Sequence, residues 1–144
     1  MSASLRVRLC HREDATTAAV AARRFSLAAG LDRLASNEVA LAAMELAANA
    51  VRHGGGGELE LLQEGNGVTV RVVDDGPGMP SPETLFTQQP RDPNMVWTPG
   101  TTLGAGGAAV RRLMDSVVAV ARVQGGLEVR ATKLLVRGNT HHRC

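Results

Sequence analysis

The chain opens on an alternation, Leu5, Val7 and Leu9 separated by Arg6 and Arg8, which predicts a short half-buried strand. From Asp14 the apolar positions shift to helical spacing and run to about Ala29, with Asp14 as a candidate cap and Gly30 as a stop. Ser36 or Asn37 is placed to cap a second helix that reaches His53, where the glycines at 54–57 end it. Along that helix Val39, Ala43, Leu46 and Ala50 make one apolar stripe. Two strand-like runs follow, Glu58 to Gln63 and Val68 to Val73, joined by Glu64-Gly65-Asn66-Gly67, whose Asn-Gly pair is a hairpin signal. The six prolines then crowd between Pro77 and Pro99, so regular structure is not expected to run far there; a long loop in a compact domain is often a functional lid. Gly104-Ala105-Gly106-Gly107 leads into a helical pattern from Ala108 to Asp115. Val117 to Val123 and Leu127 to Val136 read as closing strands around Gly125-Gly126. Helices early and strands mostly late predict an α+β two-layer sandwich rather than alternating βα units.

Composition narrows the function. A length of 144 residues with 44% hydrophobic residues suits one domain with one sizeable core. Sixteen basic against 14 acidic residues leave a charge of +2, too balanced for affinity driven by phosphate-backbone neutralisation. Phe25, Phe86 and Trp97 are the whole aromatic complement, which is poor for base stacking, so nucleic acid is not an expected partner. Two distant cysteines, Cys10 and Cys144, make no disulfide framework and fit a reducing cytoplasm. The first residues lack a signal-peptide apolar block, and no run approaches the roughly 18–20 apolar residues of a membrane span. The expected setting is cytoplasmic, without membrane contact.

Three boxes carry candidate chemistry. Glu45 and Asn49 stand four apart on the second predicted helix and share a face that Arg52 joins. A carboxylate can take a proton, an amide oxygen can bind a hard cation and a guanidinium can neutralise phosphate. Taken alone, the trio reads first as an ordinary solvated face with a Glu-to-Arg arrangement. Asp74-Asp75-Gly76-Pro77-Gly78 follows a valine-rich strand. An acid there can accept from an exocyclic amine while glycines let the backbone approach a ring, although ligand-free proteins also carry such turns. Gly104 and Gly106 sit where free backbone N–H groups and a helix dipole favour phosphate. No Gly-Lys-Ser/Thr follows, so this is not a Walker loop. His141, His142 and Cys144 are metal-ligand types in a terminal segment with no preset geometry.

In order and spacing the three boxes resemble the GHKL ATPase superfamily. Glu-Leu-Ala-Ala-Asn-Ala-Val-Arg-His (45–53), Asp-Asp-Gly-Pro-Gly-Met-Pro (74–80) and Leu-Gly-Ala-Gly-Gly-Ala-Ala-Val-Arg-Arg-Leu-Met-Asp (103–115) look like the RsbT-type switch-protein serine/threonine kinases. These are relatives of the anti-sigma factor kinases RsbW and SpoIIAB. The likeness runs from about Leu5 to Leu135. It implies the Bergerat ATP-binding fold, with helices on one face of a mixed, mostly antiparallel sheet. It further implies a single domain over 1–138 with a lid at about 79–103, and a flexible tail at 139–144.

The resemblance also implies roles. Glu45 matches the general base, Asn49 the magnesium ligand and Arg52 a basic position near the phosphates. Asp74 matches the acid that reads the adenine amine, and Gly76 and Gly78 match the close-approach glycines beneath the ring. Gly104 and Gly106 match phosphate-binding glycines of the lid end. Thr102 stands where the family's first glycine of that box would be, its hydroxyl able to meet a phosphate oxygen; Gly107-Ala108 replace the usual Leu-Pro. The implied activity is phosphorylation, with ATP and Mg²⁺, of a STAS-domain antagonist protein in bacterial partner switching of a stress or sigma-factor pathway. The alternative is a non-catalytic nucleotide-binding module that sequesters or activates a phosphatase or sigma factor.

Overall fold

The computed structural model describes residues 3–53, 55–76, 103–123 and 125–135. The order is β1 (Ser4–Leu9), α1 (Asp14–Ala29), α2 (Arg33–His53), β2 (Gly57–Glu64), β3 (Gly67–Asp74), α3 (Leu103–Leu113), β4 (Ser116–Ala121) and β5 (Leu127–Leu134). The strands form one sheet in the order β1-β2-β3-β5-β4. Each pairing is antiparallel, so the expected mostly antiparallel sheet contains no parallel pair among the described strands and the mixed component falls away.

Strand alternation gives the sheet two unlike faces. Leu59, Leu61, Val68, Val70 and Ala131 are buried beneath the helices. The other face carries a charge ladder in which Arg71 bridges Glu60 at 3.3 Å and Glu128 at 2.8 Å, and Arg130 reaches Glu128 at 3.4 Å. The Arg71 guanidinium holds Glu128 below the usual carboxylate range. Against the large inner residues of the sheet the helices present mainly alanine: Ala18 and Ala22 of α1, and Ala42, Ala43, Ala47 and Ala50 of α2, all buried. Alanine keeps helix propensity high and lets the two layers approach closely. The predicted stripe of Val39, Ala43, Leu46 and Ala50 is buried along its length.

Helix ends correct three expectations. Asp14 is the first helical residue, not the cap; its Oδ2 accepts from the N–H groups of Cys10 (2.7 Å) and His11 (2.8 Å), which keep its carboxyl below the ordinary range. Gly30 does stop α1, at φ 109°, and the Leu31 N–H donates to Ser26 O at 3.0 Å. That wrap-back seats Leu31 in the core. Because the chain turns so tightly, α2 starts at Arg33, earlier than Ser36 or Asn37 would set it. Asp32 serves as the cap, its Oδ1 accepting from the Ala35 N–H at 2.8 Å. Ser36 is buried instead, and Asn37 Oδ1 accepts from Arg23 Nε at 2.8 Å, tying α2 to α1.

The hairpin between β2 and β3 turns on Gly65-Asn66, with Glu64 paired to Gly67, so the register lies one residue before the Asn-Gly pair. Gly65 supplies the positive φ (52°) that such a turn needs. Gly67 stays in the strand because a Cβ there would stand 2.5 Å from Lys133 O.

The third correction concerns α3. It begins at Leu103 rather than Ala108, so Gly104 and Gly106 lie inside its first turns instead of ahead of them. Three glycines disfavour helix by about 1 kcal/mol each, and packing overrides them: Ala108 and Val110 are buried, and the helix lies against α2. Its C-terminal end is tied down by Lys133, whose Nζ meets Glu38 at 2.8 Å and donates to Leu113 O. Arg111 and Arg112 are exposed in its last turn, where they complement the helix dipole. The expected lid, with Phe86 and Trp97, and the tail with His141, His142 and Cys144 lie outside the described residues.

Candidate nucleotide site

One flank of α2 carries Glu38, Glu45, Asn49 and Arg52, at successive spacings of seven, four and three, beside the buried stripe. Glu45 and Asn49 are half-buried and Arg52 is exposed, so the trio rises from the edge of the core toward solvent, as the spacing predicts. Asn49 Nδ2 is buried and has no hydrogen-bond partner among the described residues. A buried polar group left unpaired costs about 1–3 kcal/mol. It is therefore a position where a ligand would complete the protein. At the end of α2, burial and the neighbouring Arg52 charge push His53 below its ordinary pKa, favouring a neutral imidazole near pH 7.

Asp74 is the last residue of β3. Alternation puts it on the same face as Val70 and Val72, the face that the helices cover. It pairs with Gly57, the residue at which the chain returns from α2. Gly56 closes that connection twice, its N–H donating to Ala50 O at 2.9 Å and its carbonyl accepting from the Asp75 N–H at 3.3 Å. The C-terminal part of α2, with Asn49 and Arg52, thus shares one end of the sheet with Asp74. Gly57 is required there: at φ 152° a Cβ would stand 2.0 Å from Val73 O.

The Asp74 carboxylate is half-buried and oriented. Its Oδ1 accepts from the N–H groups of Gly76 (3.0 Å) and Leu127 (3.2 Å), and among the described residues its Oδ2 accepts none. Burial pushes its pKa above the ordinary value; the two N–H groups and Arg122 pull it back, while Asp75 adds to the rise. A held carboxylate with one oxygen left over can accept from an exocyclic amine. The Gly76 N–H closes a tight turn back onto the Asp74 side chain.

Gly104 and Gly106 lie in the first turn of α3, and Gly104 is among the leading residues whose backbone N–H groups lack an intrahelical partner. Gly78 and Thr102 lie outside the described residues. The structure thus brings Asn49, Arg52, Asp74 and Gly76 to one end of the sheet, with Glu45 one turn back along α2. A hollow of about 340 Å³ is at the same end but opens on the other face, between Arg8, Cys10, Glu58, Asp75 and Arg122. Glu45, Asn49 and Asp74 do not line it.

Residues that pattern reading missed are Arg122, Gly126 and Leu127. The Gly125-Gly126 pair was legible as a turn, but not that this turn folds onto the end of β3.

For magnesium, the donors fit. Mg²⁺ takes hard oxygen ligands and usually keeps only one or two from the protein beside phosphate and water. A half-turn about χ2 of Asn49 exchanges its amide oxygen with the unpartnered nitrogen, which presents one such ligand.

An antiparallel sheet with helices on one face makes this an α+β two-layer domain. Residues 11–133 match the histidine kinase-like ATPase domain, and the chain belongs to that family. Membership makes this an ATP-binding domain of kinase-like or ATPase type. No curated protein matches the chain. No described helix is long and apolar enough to cross a membrane.

Proposed function

We propose that the protein is an ATP-dependent serine/threonine kinase whose substrate is a STAS-domain antagonist protein in a bacterial partner-switching pathway. The carrying observation is the α2 flank: a half-buried carboxylate at Glu45 one turn from the unpartnered buried amide of Asn49. In this reading Asp74 and Gly76 hold the adenine, and Arg52 and the first N–H groups of α3 neutralise and orient the phosphates. Glu45 accepts the proton of the attacking hydroxyl as its oxygen bonds to the γ-phosphorus and the bond to the ADP oxygen breaks. Asn49 would hold a magnesium ion, which would supply charge neutralisation on the phosphates. Phosphoryl transfer asks little else of a protein than positioning and electrostatics.

The RsbT-type likeness in the three boxes supports the STAS partner, and with it a cytoplasmic, stress or anti-sigma setting. Incubation with γ-labelled ATP and a co-encoded STAS protein tests it. Label on a Ser or Thr of that protein, lost in Glu45→Gln, is the expected result. Complex formation without label transfer would instead make the protein a nucleotide-binding switch acting on a phosphatase or sigma factor, the reading that Thr102 in the glycine box favours.

A further inference from the structure

The turn between β4 and β5 reaches across β5 to grip the end of β3. Arg122, just past β4, donates from Nη1 to the carbonyl oxygen of Asp74 at 3.1 Å and stands 3.6 Å from Asp75 Oδ1. Its own N–H donates to Gly126 O at 3.0 Å, closing the turn. Gly126, at φ 89°, passes so near that a Cβ would stand 2.1 Å from Asp74 O. The next residue, Leu127, donates its N–H to the carboxylate. One turn therefore holds Asp74 by its main chain and its side chain together. On the opposite side Gly57 pairs with Asp74, so close that a Cβ on Gly57 would stand 2.8 Å from Asp74 Cα.

We infer that Arg122 is a positioning residue of the nucleotide-base site: by holding the Asp74 carbonyl it fixes the direction in which the Asp74 carboxylate presents its remaining oxygen to the base. This rests on the reading of Asp74 as the adenine-binding acid. A loose carboxylate would have to be ordered at each binding event, and a group held beforehand avoids that loss. The Asp75 contact is a different matter. Asp75 is 78% exposed, and a pair of that kind contributes little. The work of Arg122 thus falls on the carbonyl bond. Among the described residues, Arg122 and Asp75 are the charged neighbours that act on the Asp74 carboxylate, from just past β4 and from its own strand end. β2 faces it with Gly57 and the turn with Gly126 and Leu127, none of them charged.

The experiment compares Mg·ATP affinity across pH 4.5–8 for the wild-type protein, Asp74→Asn, Arg122→Gln, Arg122→Lys and Asp75→Asn, with thermal melts as a check on folding. Arg122→Gln is expected to weaken ATP about 5- to 20-fold. The pH at which affinity fails on the acid side should move upward, because removing the cation leaves Asp74 easier to protonate. Arg122→Lys, which keeps a charged donor, should recover part of both effects, and Asp75→Asn should keep the wild-type affinity near pH 7.5 while its acid limb moves the other way, to lower pH. A folded Arg122→Gln protein with unchanged affinity and an unmoved acid limb, alongside a weakened Asp74→Asn, overturns this inference and leaves the nucleotide site standing. A wild-type protein that binds no ATP, or an Asp74→Asn protein that binds it normally, overturns both.

Discussion

Glu45 and Asn49 stand one turn apart on α2, yet the chemistry assigns them separable tasks, and substitution should separate them. Glu45→Gln keeps the size and polarity of a half-buried side chain and removes only its ability to take a proton. Phosphoryl transfer should fall by on the order of 10² to 10⁴, the usual range for losing a general base. ATP affinity should stay within about twofold, since no binding contact is removed. Single-turnover transfer and calorimetric binding on one preparation check both halves. Asp74 is governed by pH as well. Its pKa in the unliganded fold lies above the ordinary 3.8, chiefly through burial. The folded protein therefore binds more protons than the unfolded chain between that value and the raised one, and ionising Asp74 costs stability as pH rises through the window. An adenine amine favours the ionised form, so affinity is full above the raised pKa and is lost as pH falls through it. Asp74→Asn should bind about 5- to 150-fold more weakly at pH 7.5, for the loss of about 1–3 kcal/mol. Its affinity should lack the component of the acid limb that Asp74 contributes.

Among the elements, the clearest dependence is that of α3 on a single lysine. Lys133 is the only lysine in the chain and projects from β5 beneath the helices, 13% exposed, to Glu38 of α2 and the Leu113 carbonyl of α3. Lys133→Met retains the stem and removes the charge. It should cost about 1–3 kcal/mol in urea unfolding, because Glu38 and the helix-end carbonyl lose a charged donor in a half-buried place. Glu38→Gln in the same background should return part of it. The contrast between α2 and α3 also shows what the sequence makes legible. The α2 stripe, its flank of Glu45, Asn49 and Arg52, and its glycine stop all follow from local spacing, and the structure keeps them. The start of α3 was misplaced because local propensity assigns Gly104 to Gly107 to a loop, while packing of Ala108 and Val110 draws those residues into the helix. The grip on Asp74 by Arg122 and Leu127 spans 48 and 53 residues of sequence. No periodicity encodes a contact at that distance; it exists only once β5 has paired with β3.

At the scale of the whole molecule, the proposed site draws on parts far apart in the sequence: α2, the end of β3, the start of α3 and the turn after β4. ATP therefore has a partner in the native state and none of comparable affinity in the unfolded chain, and its binding must raise global stability by mass action. At 100 times the dissociation constant the gain is about 2.7 kcal/mol. For a chain of this size that corresponds to a rise in Tm of roughly 5–10 °C. Magnesium divides the effect. If Asn49 holds the metal, Mg·ATP should raise Tm well above ATP with chelator, and Asn49→Ala should reduce the first value to near the second. In Asp74→Asn the shift should shrink with magnesium and without it, because the base contact involves no metal. GTP should stabilise less than ATP, since its base presents a carbonyl oxygen where adenine presents the amine, and two acceptors cannot share a hydrogen bond. Thermal melts of the three proteins with ATP, Mg·ATP and Mg·GTP decide among these roles in one series. Equal shifts for ATP with and without metal in the wild type would remove magnesium from Asn49. Equal shifts for ATP and GTP would remove base reading from Asp74.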